Sequence, residues 1–135
     1  MNFNFEKLEV WQESINLAEK VYQMTEKFPQ KEIYGLISQL RRAVTSISLN
    51  IAEGKGRYST KEFLQFLYVT RGSLYETITL LKLAERLGFA KGNDISRLLQ
   101  DCQGVLSKLS GLINSLKAPS PQPLAQSDFQ GGVTP

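Results

Sequence analysis

The chain has 135 residues, of which 41% are apolar and 10% aromatic. These values are ordinary for a globular protein and predict a single domain with its own core. The 16 basic and 13 acidic residues leave a net charge of +3, an excess too small to indicate a nucleic-acid-binding protein by itself. With no histidine and one cysteine, Cys102, the chain cannot form an internal disulfide and lacks the usual ligands of zinc and haem sites.

The amino-terminal segment carries charged residues from Glu6 onward and contains no apolar run typical of a signal peptide. Nowhere does the sequence contain the roughly eighteen consecutive apolar residues that a membrane-spanning helix requires. We therefore expect a cytoplasmic protein without a membrane anchor.

Apolar residues at heptad spacing predict four helices, at about residues 6–27, 31–54, 60–87 and 94–116. The first helix shows two adjacent apolar rows: Leu8, Trp11, Ile15, Ala18 and Tyr22, and Val10, Leu17, Val21, Met24 and Phe28. Trp11 and Tyr22 could stack on RNA bases, but aromatic residues at helical spacing more often belong to a core. Pro29 disfavours helical backbone at Phe28 and ends this helix.

The second predicted helix has two contrasting faces. Its apolar seam is Ile33, Ile37, Leu40, Val44, Ile47 and Ile51. Its other face carries small or hydrogen-bonding residues: Gln39, Arg41, Arg42, Thr45, Ser46, Ser48, Asn50 and Glu53. Such a face suits close approach by a polar surface of the same chain or of a second copy. Gly35 lies early in this helix, and we expect Gly54 to end it as a left-handed cap.

Ser59 and Glu62 form a capping-box pattern at the start of the third helix. The residues predicted to face inward from it are Phe63, Leu67, Thr70, Leu74, Ile78, Leu81 and Ala84. Gly72 and Ser73, in its middle, predict close contact with a neighbour. A polar network is expected here, in which Glu53 or Glu76 holds Arg42 beside Asn50 and Ser73.

The fourth helix is expected to begin with Asn93 or Asp94 as its cap. Its apolar seam is Ile95, Leu99, Cys102, Leu106, Leu109, Ile113 and Leu116, which makes Cys102 a small core residue and not a redox centre. Gly104 and Gly111 suggest that another backbone passes close, as at a subunit contact. Residues 118–135 are rich in proline and glycine and are expected to form a disordered tail.

Four helices with short connections predict an all-α, antiparallel up-down-up-down four-helix bundle over residues 1–117. Several short motifs at fixed spacing also resemble a known family, the bacterial four-helix-bundle proteins of 23S rRNA intervening sequences. They are Leu8-x-Val10-Trp11-Gln12, Phe28-Pro29, Glu32-x-Tyr34-Gly35-Leu36, Gln39-x-Arg41-Arg42-Ala43, Ser46-Ile47, Asn50-Ile51-Ala52-Glu53-Gly54, Ser59-x-x-Glu62-Phe63, Phe66-Leu67 and Gly72-Ser73-x-x-Glu76. Ser48 departs from the pattern, because many members carry proline there. The resemblance implies assembly into a cyclic homopentamer.

Three functions are compatible with these features. The first is a non-enzymatic oligomeric protein that contacts structured or ribosomal RNA through basic residues, namely Arg41, Arg42, Lys55, Arg57, Lys61 and Arg71. The second is a protein adaptor, because the family is related to the accessory variability proteins of diversity-generating retroelements, which bind a reverse transcriptase and its RNA. The third is an enzyme, which we do not expect, because no histidine or second carboxylate accompanies Glu53 as a general base. No cofactor or metal is expected.

Overall fold

The computed structural model describes residues 2–118, and in that range it is an all-helical, antiparallel four-helix bundle, as the sequence predicts. Short 3-10 turns at Asn4–Lys7 and Gln30–Glu32 precede the first and second helices. The four helices are α1 (Glu9–Thr25), α2 (Leu36–Lys55), α3 (Thr60–Arg86) and α4 (Asn93–Lys117). The expected tail from residue 119 onward lies outside the described residues.

Each helix packs against two others, so that the bundle is square in cross-section. α2 lies between α1 and α3, and α4 contacts the same two helices from the opposite side. Polar contacts between antiparallel neighbours show the register: Ser73 Oγ lies 2.9 Å from Ser46 Oγ, and Lys20 Nζ lies 2.9 Å from Asp101 Oδ2. The first contact aligns α2 with α3, and the second aligns α1 with α4.

The predicted apolar seams form the core, with exceptions at the edges. Cys102 is fully buried, and so are Leu40, Ile47, Leu74 and Leu109. In the first helix, the row that contains Leu17 and Val21 is buried, whereas Ile15 is 39% and Tyr22 40% exposed. The first helix therefore buries a narrower arc than its two rows suggest, because within residues 2–118 α2 and α4 are the only helices of the bundle that pack against it.

The second helix begins later than its periodicity predicts. Residues 30–32 form only a 3-10 turn after Pro29, Gly35 is the residue before the helix, and Ile33 is 41% exposed. The Leu36 N–H donates to the Glu32 carboxylate at 3.3 Å. Because the first N–H groups of a helix have no partner within it, this carboxylate stabilises a start at Leu36. The prediction that Ile33 belongs to the seam is wrong.

Gly54 does not end α2, and its role is to let α3 come close. The helix continues to Lys55, and within residues 2–118 only Gly88 and Gly92 have positive φ, at 78° and 69°. A Cβ atom on Gly54 would lie 2.7 Å from Phe66 Cβ and 2.9 Å from Phe63 Cδ1. Gly92, and not Asn93 or Asp94, is the residue that caps α4.

Candidate nucleic-acid interface

The six basic residues proposed for RNA contact lie in three separate places. Lys55, Arg57 and Lys61 surround the turn between α2 and α3, all of them exposed. Arg41 and Arg42 lie in the first half of α2, and Arg71 lies in the middle of α3. The structure therefore brings three of the six together and leaves the others apart.

Arg41 is occupied by contacts with the end of α1. Its Nε donates to Thr25 Oγ1 at 2.9 Å, and its Nη2 lies 3.4 Å from the Tyr22 carbonyl oxygen. Its guanidinium carbon lies 4.5 Å from the centre of the Tyr22 ring, within the range of a cation–π contact. These contacts hold the positive charge near the carbonyl end of α1, where it is favourable.

The expected polar network forms without its charged members. Asn50 Nδ2 donates to the carbonyl oxygen of Ser46 at 2.8 Å and to its Oγ at 2.9 Å, and Ser73 Oγ donates to Ser46 Oγ. Arg42 is exposed and has no salt bridge within residues 2–118, so the expectation that Glu53 or Glu76 holds it is not met. Arg42 and Glu53 lie about three helical turns apart on α2, too far to meet.

The turn between α2 and α3 combines exposed cations with an exposed aromatic ring. Tyr58 is fully exposed at its tip, between Arg57 and the cap residue Ser59, whose Oγ accepts the Glu62 N–H at 3.1 Å. The Arg57 guanidinium carbon lies 4.7 Å from the centre of the Phe66 ring, and Lys55 Nζ lies 5.8 Å from that of Phe63.

Within residues 2–118, one carboxylate forms an ion pair with these cations. Glu53 Oε2 is 4.0 Å from Arg57 Nη2, and both side chains are about half exposed. An exposed pair at that distance is screened by water and contributes little. The turn therefore keeps most of its positive charge available to a partner.

We define the turn cluster as Lys55, Arg57, Tyr58 and Lys61. Such an arrangement suits single-stranded RNA, because cations can contact the phosphates while an exposed ring stacks on a base. Tyr58 is not among the residues that the sequence predicts to contact RNA. Its position in a turn between basic residues was the available signal, because an aromatic residue there has no helical face on which to be buried.

The two aromatic residues first considered for base stacking already have packing partners. The Trp11 ring is half-buried and lies 5.1 Å from the centre of the Phe5 ring. The face of Tyr22 carries the Arg41 guanidinium. The turn cluster is therefore the better candidate for contact with a base.

We also searched the described residues for a metal site, a reactive thiol and a membrane-spanning helix. Between residues 2 and 118, no group of three or more His, Cys, Asp or Glu side chains is placed to hold a metal ion. Burial raises the pKa of the Cys102 thiol to about 12, so the thiolate that nucleophilic chemistry requires does not form near neutral pH. None of the helices in this part of the chain is long and apolar enough to cross a membrane.

Comparison with known proteins identifies the family to which this chain is similar. The model of the family described as 23S rRNA-intervening sequence protein matches residues 6–111. A crystal structure of a protein of unknown function from the S23 ribosomal protein family of Bacteroides thetaiotaomicron is similar, with a TM-score of 0.70 and 21% identity. The match covers 77% of this chain and 97% of that chain, and at this identity it shows the fold alone. None of the curated proteins matches.

The family match covers nearly all of the four-helix bundle, from the 3-10 turn before α1 to the last turns of α4. The chain belongs to the family of 23S rRNA-intervening sequence proteins.

Proposed function

We propose that this protein is a non-enzymatic, cytoplasmic RNA-binding protein that works as a cyclic homo-oligomer, the homopentamer that the resemblance implies. The observation that carries the proposal is the turn cluster, in which three exposed cations lie within a few residues of a fully exposed tyrosine. Structured or ribosomal RNA with a single-stranded loop is the ligand that this chemistry fits.

Repetition compensates for the small charge of each copy. Three cations contact about three phosphates, which is weak at physiological salt. In a ring, every copy presents the same turn, and RNA bound at one turn meets the next at a high effective concentration. A modest affinity per turn then becomes a useful affinity for the assembly.

The test is a fluorescence anisotropy titration of a labelled hairpin RNA with a single-stranded loop. The variant Lys55→Gln/Arg57→Gln/Lys61→Gln should bind about tenfold or more weakly, with a shallower dependence on salt, because about three phosphate contacts per copy are lost. Tyr58→Ala should weaken binding while leaving the salt dependence nearly unchanged, because stacking involves no counterion release.

A matched control removes the same charge from the opposite end of the bundle. Lys27, Lys31 and Lys91 are exposed in or next to the connections there. Lys27→Gln/Lys31→Gln/Lys91→Gln should change the affinity by less than about threefold, because these residues are far from the turn cluster. Equal losses in the two triple variants would show that the turn is not the site. An oligomer without affinity for RNA would favour the alternative, a protein adaptor such as a reverse-transcriptase accessory protein.

A further inference from the structure

The exposed side of α3 carries a second heptad row, opposite the row that packs into the core. Tyr68, Gly72, Tyr75 and Thr79 follow one another at spacings of 4, 3 and 4 residues, and all four are exposed. None is charged, whereas the outward side of a surface helix is ordinarily polar and charged. The Thr79 hydroxyl donates to the Tyr75 carbonyl oxygen at 2.8 Å, so its hydrogen is used within the helix.

Gly72 stands at the centre of this row with open space around it. Apart from its chain neighbours and the local helix backbone, no atom of residues 2–118 lies within 4 Å of the position that its Cβ would occupy. A glycine inside a helix costs about 1 kcal/mol relative to alanine. The close neighbour that the sequence predicts for Gly72 does not come from residues 2–118. The helix thus has a notch suited to the close approach of another helix.

The two edges of the row differ in charge but resemble each other in their apolar residues. One edge carries Leu64, Arg71 and Ile78. The other carries Val69, Glu76 and Leu83, of which Val69 is 53% and Leu83 44% exposed. Leu64 and Ile78 also pack partly against the core of their own chain, and the Arg71 guanidinium carbon lies 5.2 Å from the centre of the Tyr68 ring.

These edges complement each other when two α3 helices run parallel and in register. In that arrangement, a residue on one edge meets the residue about five positions later on the opposite edge of the partner. The resulting pairs are Leu64 with Val69, Arg71 with Glu76, and Ile78 with Leu83. Two pairs are apolar and one joins opposite charges. An antiparallel partner would instead bring equivalent edges together, with arginine facing the arginine edge.

We propose that a second copy of this chain covers the exposed row of α3, with the two α3 helices parallel and Arg71 of one copy beside Glu76 of the other. The inference rests on the proposed homo-oligomer and names its contact face. Two such helices alone would form this contact on both sides and close as a dimer, whereas in a ring of parallel α3 helices the basic edge of each copy meets the acidic edge of the next, so the same Arg71–Glu76 contact recurs around the symmetry axis.

Charge reversal tests the contact by sedimentation velocity. Arg71→Glu and Glu76→Arg should each shift the protein toward smaller species, with association weakened about tenfold or more, because like charges then meet. The double variant Arg71→Glu/Glu76→Arg should restore the wild-type sedimentation. Within one chain these residues occupy opposite edges of α3, so restoration reports a contact between chains. Glu19→Arg, on the exposed side of α1, makes a matched control and should leave sedimentation unchanged.

Cysteine cross-linking provides a second readout. In a Cys102→Ala background, the double variant Arg71→Cys/Glu76→Cys should form covalent ladders with a short bismaleimide cross-linker, whereas each single cysteine should not, because residues on the edges of the contact are too far apart for a direct disulfide. The inference would be overturned if none of the charge reversals changed the sedimentation of the oligomer, or if the double-cysteine variant formed no ladders. Neither result would contradict the proposed RNA-binding oligomer. A monomeric wild-type protein would overturn the inference together with the proposed homo-oligomer.

Discussion

Two adjacent arginines in α2 have different surroundings. Arg41 is bound to the end of α1 through Thr25 and Tyr22, whereas Arg42 projects into solvent. A step of one residue on a helix turns a side chain by about 100°, which separates the two sides. The sequence shows that the two arginines are adjacent. Which of them contacts α1 depends on where α1 ends in the folded chain.

This difference predicts unequal effects of alanine substitution. Arg41→Ala should lower the free energy of unfolding by about 1 to 2 kcal/mol, because a side-chain hydrogen bond to Thr25 and a ring contact are lost. Arg42→Ala should change it by less than about 0.5 kcal/mol. Urea unfolding followed by circular dichroism measures both, and a larger loss for Arg42→Ala would contradict the assignment.

The buried thiol of Cys102 makes the free energy of unfolding depend on pH in the alkaline range. Burial raises its pKa from 9.0 to about 12, so in that interval the folded chain keeps a proton that the unfolded chain loses. Since the unfolded state then binds fewer protons, the free energy of unfolding falls as pH rises from about 9 to about 12.

Cys102→Ala isolates this contribution from those of lysine and tyrosine. Between about pH 8 and about pH 10.5, wild-type stability should fall more steeply than that of the variant. Urea midpoints at the two pH values test this, and parallel losses in the two proteins would show that the thiol does not contribute.

At the scale of whole elements, periodicity predicts the middle of each helix better than its ends. The inner rows of α2, α3 and α4 follow from local 3.6-residue geometry, which any sequence window reveals. The start of α2 is stabilised by the Glu32 carboxylate, and the lack of room for a side chain at Gly54 comes from Phe63 and Phe66 of α3. Such contacts between elements leave no periodic signal in the sequence.

A pair of glycines tests the packing of α2 on α3. Gly54→Ala should destabilise the protein by about 1 to 2 kcal/mol, because the new methyl group overlaps Phe66 Cβ and overpacking outweighs the gain in helix propensity. Gly111→Ala, in α4, should stabilise it by about 1 kcal/mol, because beyond the local helix backbone no atom of the described residues lies within 4 Å of the new Cβ. Thermal and urea unfolding would contradict this packing if the two substitutions had the same sign.

At the scale of the whole molecule, the sequence predicts only those parts of the candidate site whose residues are close together in the chain. Lys55, Arg57 and Lys61 share one turn, so the sequence already places them together. The separation of Arg71 from that turn, and the exposure of the row around Gly72, depend on how α3 sits in the bundle. The exposure of Tyr58 follows from its place in that turn, since a residue outside the helices has no helical face on which to be buried.

The most direct test is size-exclusion chromatography with light scattering and dual absorbance at about 260 and 280 nm, on protein purified gently from its host. We expect a peak with the mass of a homo-oligomer and nuclease-sensitive absorbance near 260 nm that dissociates as salt rises, because phosphate contacts release counterions. Neutralising the three cations of the turn cluster should remove this absorbance and leave the oligomeric mass unchanged. A monomer would contradict the account. So would an oligomer whose bound nucleic acid is unchanged both when salt rises and when the cations of the turn cluster are neutralised.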